Sequence, residues 1–299
     1  MRISTQILFE SGSARIGDLQ SSLVKTQQQI ATGRRILAPS DDPVGAARAL
    51  DVTQTQSLNT QYGVNRQYAK SALGAAEGML SSVTALLQDV KTTVIAAGNG
   101  ALSDTERGFM ATELRGRFEQ LLGLANARDA GGSYLFSGFQ TAAPAYTKDA
   151  SYVVTFEGDA GQQLIQVDAT RQMSVTSPGS TVFQGAGWDV FQTLNDLVGL
   201  LNTPGAPAPA ALASRNAEID QALDNVLTVR ASVGSRLQEL DALDYAGEDR
   251  NLQYSQILSD LQDLDYTKAL TQFSQQQTTL EAAQKSFVKT SGLSLFNFI

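Results

Sequence analysis

Mostly apolar residues recur at alternating spacings of four and three along the segment 58–90. This row consists of Leu58, Tyr62, Asn65, Ala69, Ala72, Ala76, Met79, Val83, Leu86 and Val90. A second row lies beside it at spacings of seven, and its members are Leu73, Leu80, Leu87 and Val94. An α-helix places both rows on one broad face, and no proline interrupts the chain between Val44 and Gly98. The pattern predicts a single helix, roughly 80 Å long at 1.5 Å per residue, that packs against other long helices.

The two ends of the chain carry narrower helical patterns. In the first 32 residues the repeat of seven falls on Phe9, Ile16, Leu23 and Ile30, and near the other end it falls on Tyr266, Phe273, Leu280 and Phe287. Glutamines dilute both rows. Equal repeats predict that the two arms pair as an antiparallel coiled coil, within one chain or between neighbouring copies. Because such narrow seams bury little area against the entropy lost on ordering, we expect the arms to fold fully only on assembly.

Further helices are predicted between the arms. Gly98 to Gly100 should end the long helix, and Ser103 with Glu106 forms a capping box that opens the next one. Its apolar face is predicted to contain Phe109, Leu114, Phe118, Leu121, Leu122 and Leu124, and it should run antiparallel to the long helix. A short helix is expected over 189–201. A long helix should then follow, with an apolar face of Ile219, Leu223, Val226, Val233, Leu237 and Leu240. Arg230 interrupts that face, and we expect its side chain to reach a carboxylate or a backbone oxygen.

The middle of the chain has the character of β-structure. Segments 152–156 and 164–167 are rich in β-branched and aromatic residues, with turn residues between them. Further strand pieces are predicted through Met173, Val175 and Val182. The fold class is therefore mainly α, a long antiparallel helical rod or coiled coil built from the N- and C-terminal regions, with a small β-rich insert. We predict terminal arms at 1–42 and 250–299, a long-helix rod at 43–138 and 208–249, and an outer insert at 139–207.

The composition argues against several kinds of function. The chain has 22 basic and 30 acidic residues with no basic run, so we expect no nucleic-acid binding. No apolar run could span a bilayer, so we expect no membrane segment. Cysteine and histidine are absent, which removes thiolate ligands and the commonest general base. We expect no cofactor, no metal and no enzyme activity. The start also lacks a cleaved secretion leader, which favours a cytoplasmic protein unless export occurs without cleavage.

The segment that follows the first arm is read as a helix start. Asp42 is well placed as an N-cap with Pro43 at the first helical position, and Gly33 is well placed to end the first helix. Asp41 and Asp42 are therefore interpreted as capping residues. A metal site would need further oxygen ligands.

Several segments together resemble the flagellin superfamily, and most closely its hook–filament junction branch. The resemblance covers about 1–139 and 216–299. It rests on the start Met1-Arg2-Ile3-Ser4-Thr5, on Ala31-Thr32-Gly33-Arg34-Arg35 with Pro39-Ser40-Asp41-Asp42-Pro43, on the glycine-rich segment 132–139, on the segment 230–237 that begins with Arg230, and on the end Ser294-Leu295-Phe296-Asn297-Phe298-Ile299. Filament flagellins usually differ in the Pro-Ser-Asp-Asp-Pro segment and in the tip that contains Phe296 and Ile299, and the insert matches only loosely.

The resemblance implies a structural protein of the bacterial flagellum that is exported unfolded by the flagellar type III apparatus. It implies a ring of copies at the distal end of the hook, with the helical arms inside and the insert pointing outward. The implied partners are other copies of the chain, the first hook-associated junction protein, flagellin and a flagellar export chaperone. It implies no catalytic residue.

Three other interpretations stay open at this point. The chain could be a flagellin that forms the filament itself, which would polymerise alone. It could be an enzyme that uses paired carboxylates such as Glu157 and Asp159, although these lie among glycines in a turn. It could also be a secreted adhesin or coiled-coil effector, which explains the paired arms less well.

Overall fold

The structure, a computed structural model, describes residues 2–296 apart from Ala130 and Ala186; within that range the side chains of 2–6, 8 and 291–296 are not described. The elements in order are α1 (Arg2–Thr32), α2 (Pro43–Ala97), α3 (Asp104–Ala125), β1 (Tyr146–Lys148), β2 (Val154–Phe156), β3 (Leu164–Asp168), β4 (Arg171–Ser174), α4 (Gly179–Val182), β5 (Gln184–Gly185), β6 (Trp188–Asp189), α5 (Val190–Asn202), α6 (Pro209–Gln262) and α7 (Tyr266–Phe296). The predicted mainly helical fold with a small β-containing part is confirmed.

The predicted helix boundaries follow from local capping chemistry. Gly33 takes a left-handed backbone conformation with φ of +69° directly after α1. The Oδ1 atom of Asp42 accepts the N–H of Gly45 at 2.9 Å, so Asp42 caps α2 as predicted. The Ser103–Glu106 capping box opens α3, and Asp189 caps α5. Asp265 accepts the N–H of Lys268 at 3.0 Å and so caps α7.

The chain divides into two compact units. The terminal unit comprises Met1–Leu58 and Asp249–Ile299, and the central unit comprises Asn59–Glu248. Helices α2 and α6 therefore each contribute residues to both units. The finer division into arms, rod and outer insert stays a prediction.

The central unit is organised around the predicted stripe of α2. Nine residues of the two rows are buried: Ala69, Leu73, Ala76, Leu80, Val83, Leu86, Leu87, Val90 and Val94. Helix α3 runs antiparallel to α2, because Arg117 pairs with Asp89 at 3.2 Å while Glu113 lies beside Thr93. Helix α6 adds Ile219, Val226, Val233 and Leu240 to the same core. One apolar core thus joins the long helices.

The predicted face of α3 was wrong at its first residue. The buried row of α3 is Ala111, Leu114, Phe118, Leu121 and Ala125. Phe109 lies two residues before Ala111, which places it on the opposite side of a helix, and its side chain is 70% exposed.

The strands exist but pair differently from the simple hairpin that the intervening turn suggests. Strand β2 pairs with β1, and β3 pairs with β4, both antiparallel. Val182 was predicted in a strand but lies in the short helix α4, because the N–H of Phe183 closes a turn onto the carbonyl of Gly179 at 2.9 Å. There is little room at Gly179: an added Cβ would lie 2.8 Å from the Tyr146 ring.

An aromatic cluster joins this β-containing part to the helices. The ring centroids of Tyr146 and Phe191 lie 4.9 Å apart, and those of Phe118 and Phe191 lie 6.1 Å apart. Burial raises the pKa of Tyr146 well above its ordinary value. The β-containing part therefore shares the helical core.

Polar contacts hold the β3–β4 hairpin on α2 and α6. Arg66 donates to the carbonyl of Val167 at 3.0 Å and also pairs with Asp244. Arg171 binds Glu239 through two hydrogen bonds, of 2.6 and 2.9 Å. Since one buried guanidinium contacts a strand and a helix together, the hairpin and the two long helices are fixed as one body within the central unit.

We expect Leu80→Asp to abolish the cooperative unfolding transition of the central unit. Leu80 is fully buried. An unpaired carboxylate there costs several kcal/mol, a large part of the roughly 5–15 kcal/mol that hold a domain folded. The neighbouring exposed residue gives the matched control Ser81→Asp. Thermal unfolding followed by circular dichroism would check this; an unchanged transition in Leu80→Asp would show that the helical register is wrong.

Candidate functional site

The two terminal arms pack against each other inside the terminal unit. The rings of Phe9 and Phe287 lie 5.0 Å apart between centroids. A Cβ added at Gly12 would lie 2.8 Å from the Phe287 ring, and one at Gly33 would lie 2.9 Å from the Tyr266 hydroxyl. The start of α1 therefore meets the end of α7 and the end of α1 meets its start, an antiparallel pairing along the predicted seam.

The seam also uses residues that the sequence pattern did not single out. Between the predicted positions lie small or polar residues that are buried or half-buried: Gly12, Thr26, Ala269, Gln276 and Ala283. Leu19, which the sequence pattern adds to the row of the first arm, is half-buried as expected, whereas Ile7 and Ala14, added in the same way, are exposed. Thr26 and Ala269 are each only 4% exposed. The available signal was their spacing of three or four from the predicted rows, which completes a coiled-coil repeat on each helix. Side chains this small explain why the seam is thin.

The seam is incompletely covered in the free chain. Leu280 is buried, whereas Ile16, Leu23, Ile30, Phe273 and Phe287 are half-buried, and Phe9 and Tyr266 are about half exposed. Other large apolar side chains on the same two helices are exposed, namely Ile7, Val24, Leu270 and Val288. Exposed apolar side chains along a seam of two paired helices are typical of a surface that contacts other proteins.

The Pro39–Pro43 signature forms the bend between α1 and α2. Asp41 accepts the N–H groups of Leu37 and Ala38, at 3.2 and 3.3 Å, and binds the Lys25 ammonium at 2.6 Å. The Lys25 ammonium lowers the pKa of Asp41. Pro39 and Ser40 are exposed. The aspartate thus fixes the bend, and the residues before it face solvent.

The second aspartate of the signature serves α2. The N–H of Gly45 lowers the pKa of Asp42, and the guanidinium of Arg35, 3.3 Å away, acts in the same direction. A Cβ added at Gly45 would lie 2.4 Å from a carboxylate oxygen of Asp42. Asp42 is therefore a capping group, as the sequence indicated, whereas Asp41, expected to cap as well, instead holds the bend that precedes it.

The bend between α1 and α2 is paired with the bend between α6 and α7. The N–H of Arg35 donates to the carbonyl of Gln262 at 2.7 Å, and the N–H of Leu264 donates to that of Gly33 at 2.9 Å. Arg34 and Asp263 form an antiparallel bridge between these bonds. We call this pair of connections, 33–42 and 263–265, the double bend.

The other signature residues lie elsewhere. Arg230 belongs to the central unit, where its guanidinium binds Glu77 at 2.6 Å and Thr84 at 3.2 Å, so it reaches a carboxylate as expected. Phe296 is the last described residue of α7, without a described side chain, and Ile299 lies outside the described residues. The terminal unit therefore contains Pro39, Ser40, Asp41, Asp42 and Pro43 together with the seam, and the central unit contains Arg230. A role of either group in assembly stays a prediction.

The two carboxylates of the enzyme alternative, Glu157 and Asp159, accept hydrogen bonds from neighbouring residues and so stabilise local structure. Asp159 accepts the N–H of Phe139 at 2.9 Å and that of Gly161 at 2.7 Å. Glu157 accepts the Thr147 hydroxyl at 3.2 Å. Within the described residues, no three acidic side chains cluster in a way that could hold a metal ion. None of the described helices is long and apolar enough to cross a membrane.

Charge is divided unequally between the two units. The terminal unit has 10 basic and 10 acidic residues, whereas the central unit has 12 basic and 20 acidic ones. The whole net charge of −8 is therefore carried by the central unit. A neutral surface with exposed apolar groups can approach another copy more readily than a strongly acidic one.

Comparison with known proteins places this architecture in a family. The model of the bacterial flagellin N-terminal helical region matches residues 3–141. Flagellar hook-associated protein 3 of Escherichia coli is 35% identical over 99% of this chain and 99% of its own length. The same protein of Salmonella typhimurium is 34% identical, again over 99% of each chain.

A solved structure shares the fold. The crystal structure of flagellar hook-associated protein 3 from Legionella pneumophila superimposes with a TM-score of 0.65 at 20% identity, over 70% of this chain and 98% of the other. With full-length identity above one third to the Escherichia coli protein, the chain belongs to the flagellar hook-associated protein 3 family, within the flagellin superfamily.

Proposed function

We propose that this protein is a structural component of the bacterial flagellum, located at the hook–filament junction, where it joins the hook to the filament. The observation that carries the proposal is the 35% identity to a hook-associated protein 3 over essentially the full length of both chains. The incompletely covered seam between α1 and α7 supports it, because a subunit with exposed apolar arms needs neighbours to cover them.

The proposed partners are other flagellar components. Copies of the chain form a ring, with the first hook-associated junction protein on one side and flagellin on the other. A flagellar export chaperone binds the chain before export. The exposed apolar residues of α1 and α7, such as Val24 and Leu270, are the contacts available to these neighbours.

The distribution of charge supports assembly through the terminal unit. Central units that each carry a net charge of −8 repel one another, whereas terminal units carry no net charge and expose apolar side chains. Repulsion between central units also limits how many copies associate without the correct neighbours. We infer that contacts between terminal units provide the attraction within the ring.

A filament-forming flagellin is the alternative function. The model of the bacterial flagellin N-terminal helical region also matches this chain, so the helical part by itself does not separate the two functions. Polymerisation does: a flagellin forms long filaments from purified protein, whereas a junction protein does not.

Deletion of the gene should leave cells that secrete flagellin but build no filament. Without the junction protein, flagellin has no surface on the hook to which it can bind. We therefore expect flagellin monomers in the medium and bare hooks by electron microscopy. Reintroduction of the wild-type gene should restore filaments. Filaments of normal length in the deletion strain would contradict the proposed function, as would long filaments formed by the purified protein alone.

Leu280→Ala should loosen the seam of the free chain far more than Leu270→Ala. Both leucines lie on α7, but Leu280 is 9% exposed in the seam whereas Leu270 is 54% exposed outside it. Removal of a buried leucine side chain costs about 2–5 kcal/mol. Because the seam buries little area, this loss is a large part of the free energy that holds α1 and α7 together. In free protein we expect faster amide exchange in α1 and α7 for Leu280→Ala and unchanged exchange for Leu270→Ala.

The same pair of variants tests which part of the chain the seam supports. The unfolding transition of the central unit should be the same in Leu280→Ala as in the wild type. A transition that is lost together with the seam would make the arms part of the central core. Normal filaments in cells that carry Leu280→Ala would make the seam dispensable.

A further inference from the structure

The double bend contains one residue, Arg35, whose backbone and side chain contact the ends of three helices. Arg35 follows the left-handed Gly33 by two residues, and its backbone carbonyl accepts the side-chain amide of Gln29, in the last turns of α1, at 2.6 Å. Its backbone N–H donates to the carbonyl of Gln262, the last residue of α6, at 2.7 Å. The backbone of Arg35 thus already joins α1 to α6.

The guanidinium adds two more contacts in different directions. One nitrogen donates to the carbonyl of Leu261 at 2.7 Å, and another lies 3.3 Å from the carboxylate of Asp42, the N-cap of α2. The carbonyls at a helix C-terminus lack intrahelical partners and carry a partial negative charge, which a cation satisfies well. A planar guanidinium can serve a carbonyl and a carboxylate at once, whereas a lysine ammonium acts as a point charge on a flexible stem.

Other contacts at the double bend do not replace this one. The Lys25–Asp41 pair joins α1 to the bend itself and reaches neither α6 nor the start of α2. The two cations are similarly exposed, Lys25 at 49% and Arg35 at 47%, so what distinguishes Arg35 is that it reaches α6 and the N-cap of α2. Arg34, although adjacent, is exposed, and within the described residues its guanidinium has no hydrogen bond or ion pair.

We propose that Arg35 is a positioning residue for assembly. Through its contacts with Leu261 and Asp42, it fixes the orientation of α1 relative to the start of α2 and the end of α6. The seam presents its exposed apolar groups to neighbouring copies only if both arms leave the double bend in one direction. This proposal rests on the proposed junction function, which supplies the neighbours. Within the terminal unit, however, the positioning itself is a property of the free chain.

Spin-label distances in the purified full-length chain test directly whether Arg35 fixes the orientation of α1 relative to α2. The chain has no cysteine, so the exposed pair Arg15→Cys on α1 and Asp51→Cys on α2 takes two labels specifically. Because α1 and α7 are already paired helices in the single chain and assembly only suppresses their transient opening, we expect one narrow distance distribution in the otherwise wild-type chain. Arg35→Ala should lose that narrow peak, Arg35→Lys should retain it in part, and the matched control Arg34→Ala should keep it.

Helix content separates positioning from folding. By far-ultraviolet circular dichroism, we expect Arg35→Ala to keep the helicity and the unfolding transition of the wild type. A narrow peak in Arg35→Ala would overturn the proposal. Equal broadening in Arg34→Ala would also overturn it, and so would a loss of helicity in Arg35→Ala, which would mean that Arg35 maintains the helices rather than their direction.

An assay in the deletion strain links position to assembly. Cells with Arg35→Ala should export the protein yet shed flagellin, whereas cells with Arg34→Ala should build filaments. If the wild-type gene itself restores no filament, the proposed function fails while the distance result stands. Normal filaments with Arg35→Ala, together with a broadened distance distribution, would overturn the role of Arg35 in assembly alone.

Discussion

The terminal unit depends on the contact between two thin seams that lie at opposite ends of the sequence. Each helix contributes one row of larger apolar residues, and the positions between them are small or polar, such as Gly12, Thr26 and Ala269. Close approach of the helices at Phe9, Gly12 and Phe287 is possible because glycine leaves room for the ring. The contact is therefore specific in register but covers little area. Its incomplete burial makes neighbouring copies the natural source of further stabilisation.

The central unit has the opposite character. Its long helices, short strands and aromatic rings share one buried core, and buried guanidinium groups such as Arg66 connect the hairpin to the helices. The unit also carries all of the net negative charge. An acidic unit with its own buried core, joined to a unit that has no net charge and exposes apolar side chains, suits the proposed role of a subunit that associates at its site of assembly.

The sequence predicted those parts of the structure that depend on local chemistry or on a long repeat. The stripe of α2 from Ala69 onward, the cap at Asp42 and the turn at Gly33 depend on residues close in sequence and are confirmed, whereas Leu58, the first residue of the predicted stripe, is 49% exposed. The partner of each short strand depends on distant packing, so the pairing of β1 with β2 was not predicted. Phe109 was misplaced because a residue two positions from an apolar row lies on the opposite face of a helix, however apolar its side chain.

The candidate site was predictable to the same extent. The heptad residues could be found from their spacing, and their antiparallel pairing followed from equal repeats. The contact of Arg35 with Leu261 could not, because the two residues are 226 positions apart and one of them contributes only a backbone carbonyl. The resemblance to the hook–filament junction branch, which rests on motifs such as Pro39–Pro43, is confirmed by the identity over the whole chain.

Amide hydrogen exchange of the free and the assembled protein measures the central claim most directly. If copies complete the thin seam, exchange in α1 and α7 should slow strongly on assembly at the hook, whereas exchange in the buried core of the central unit should stay the same. Equal protection of α1 and α7 in the dilute monomer and in the assembled ring would contradict the account, because the seam would then be complete in a single chain.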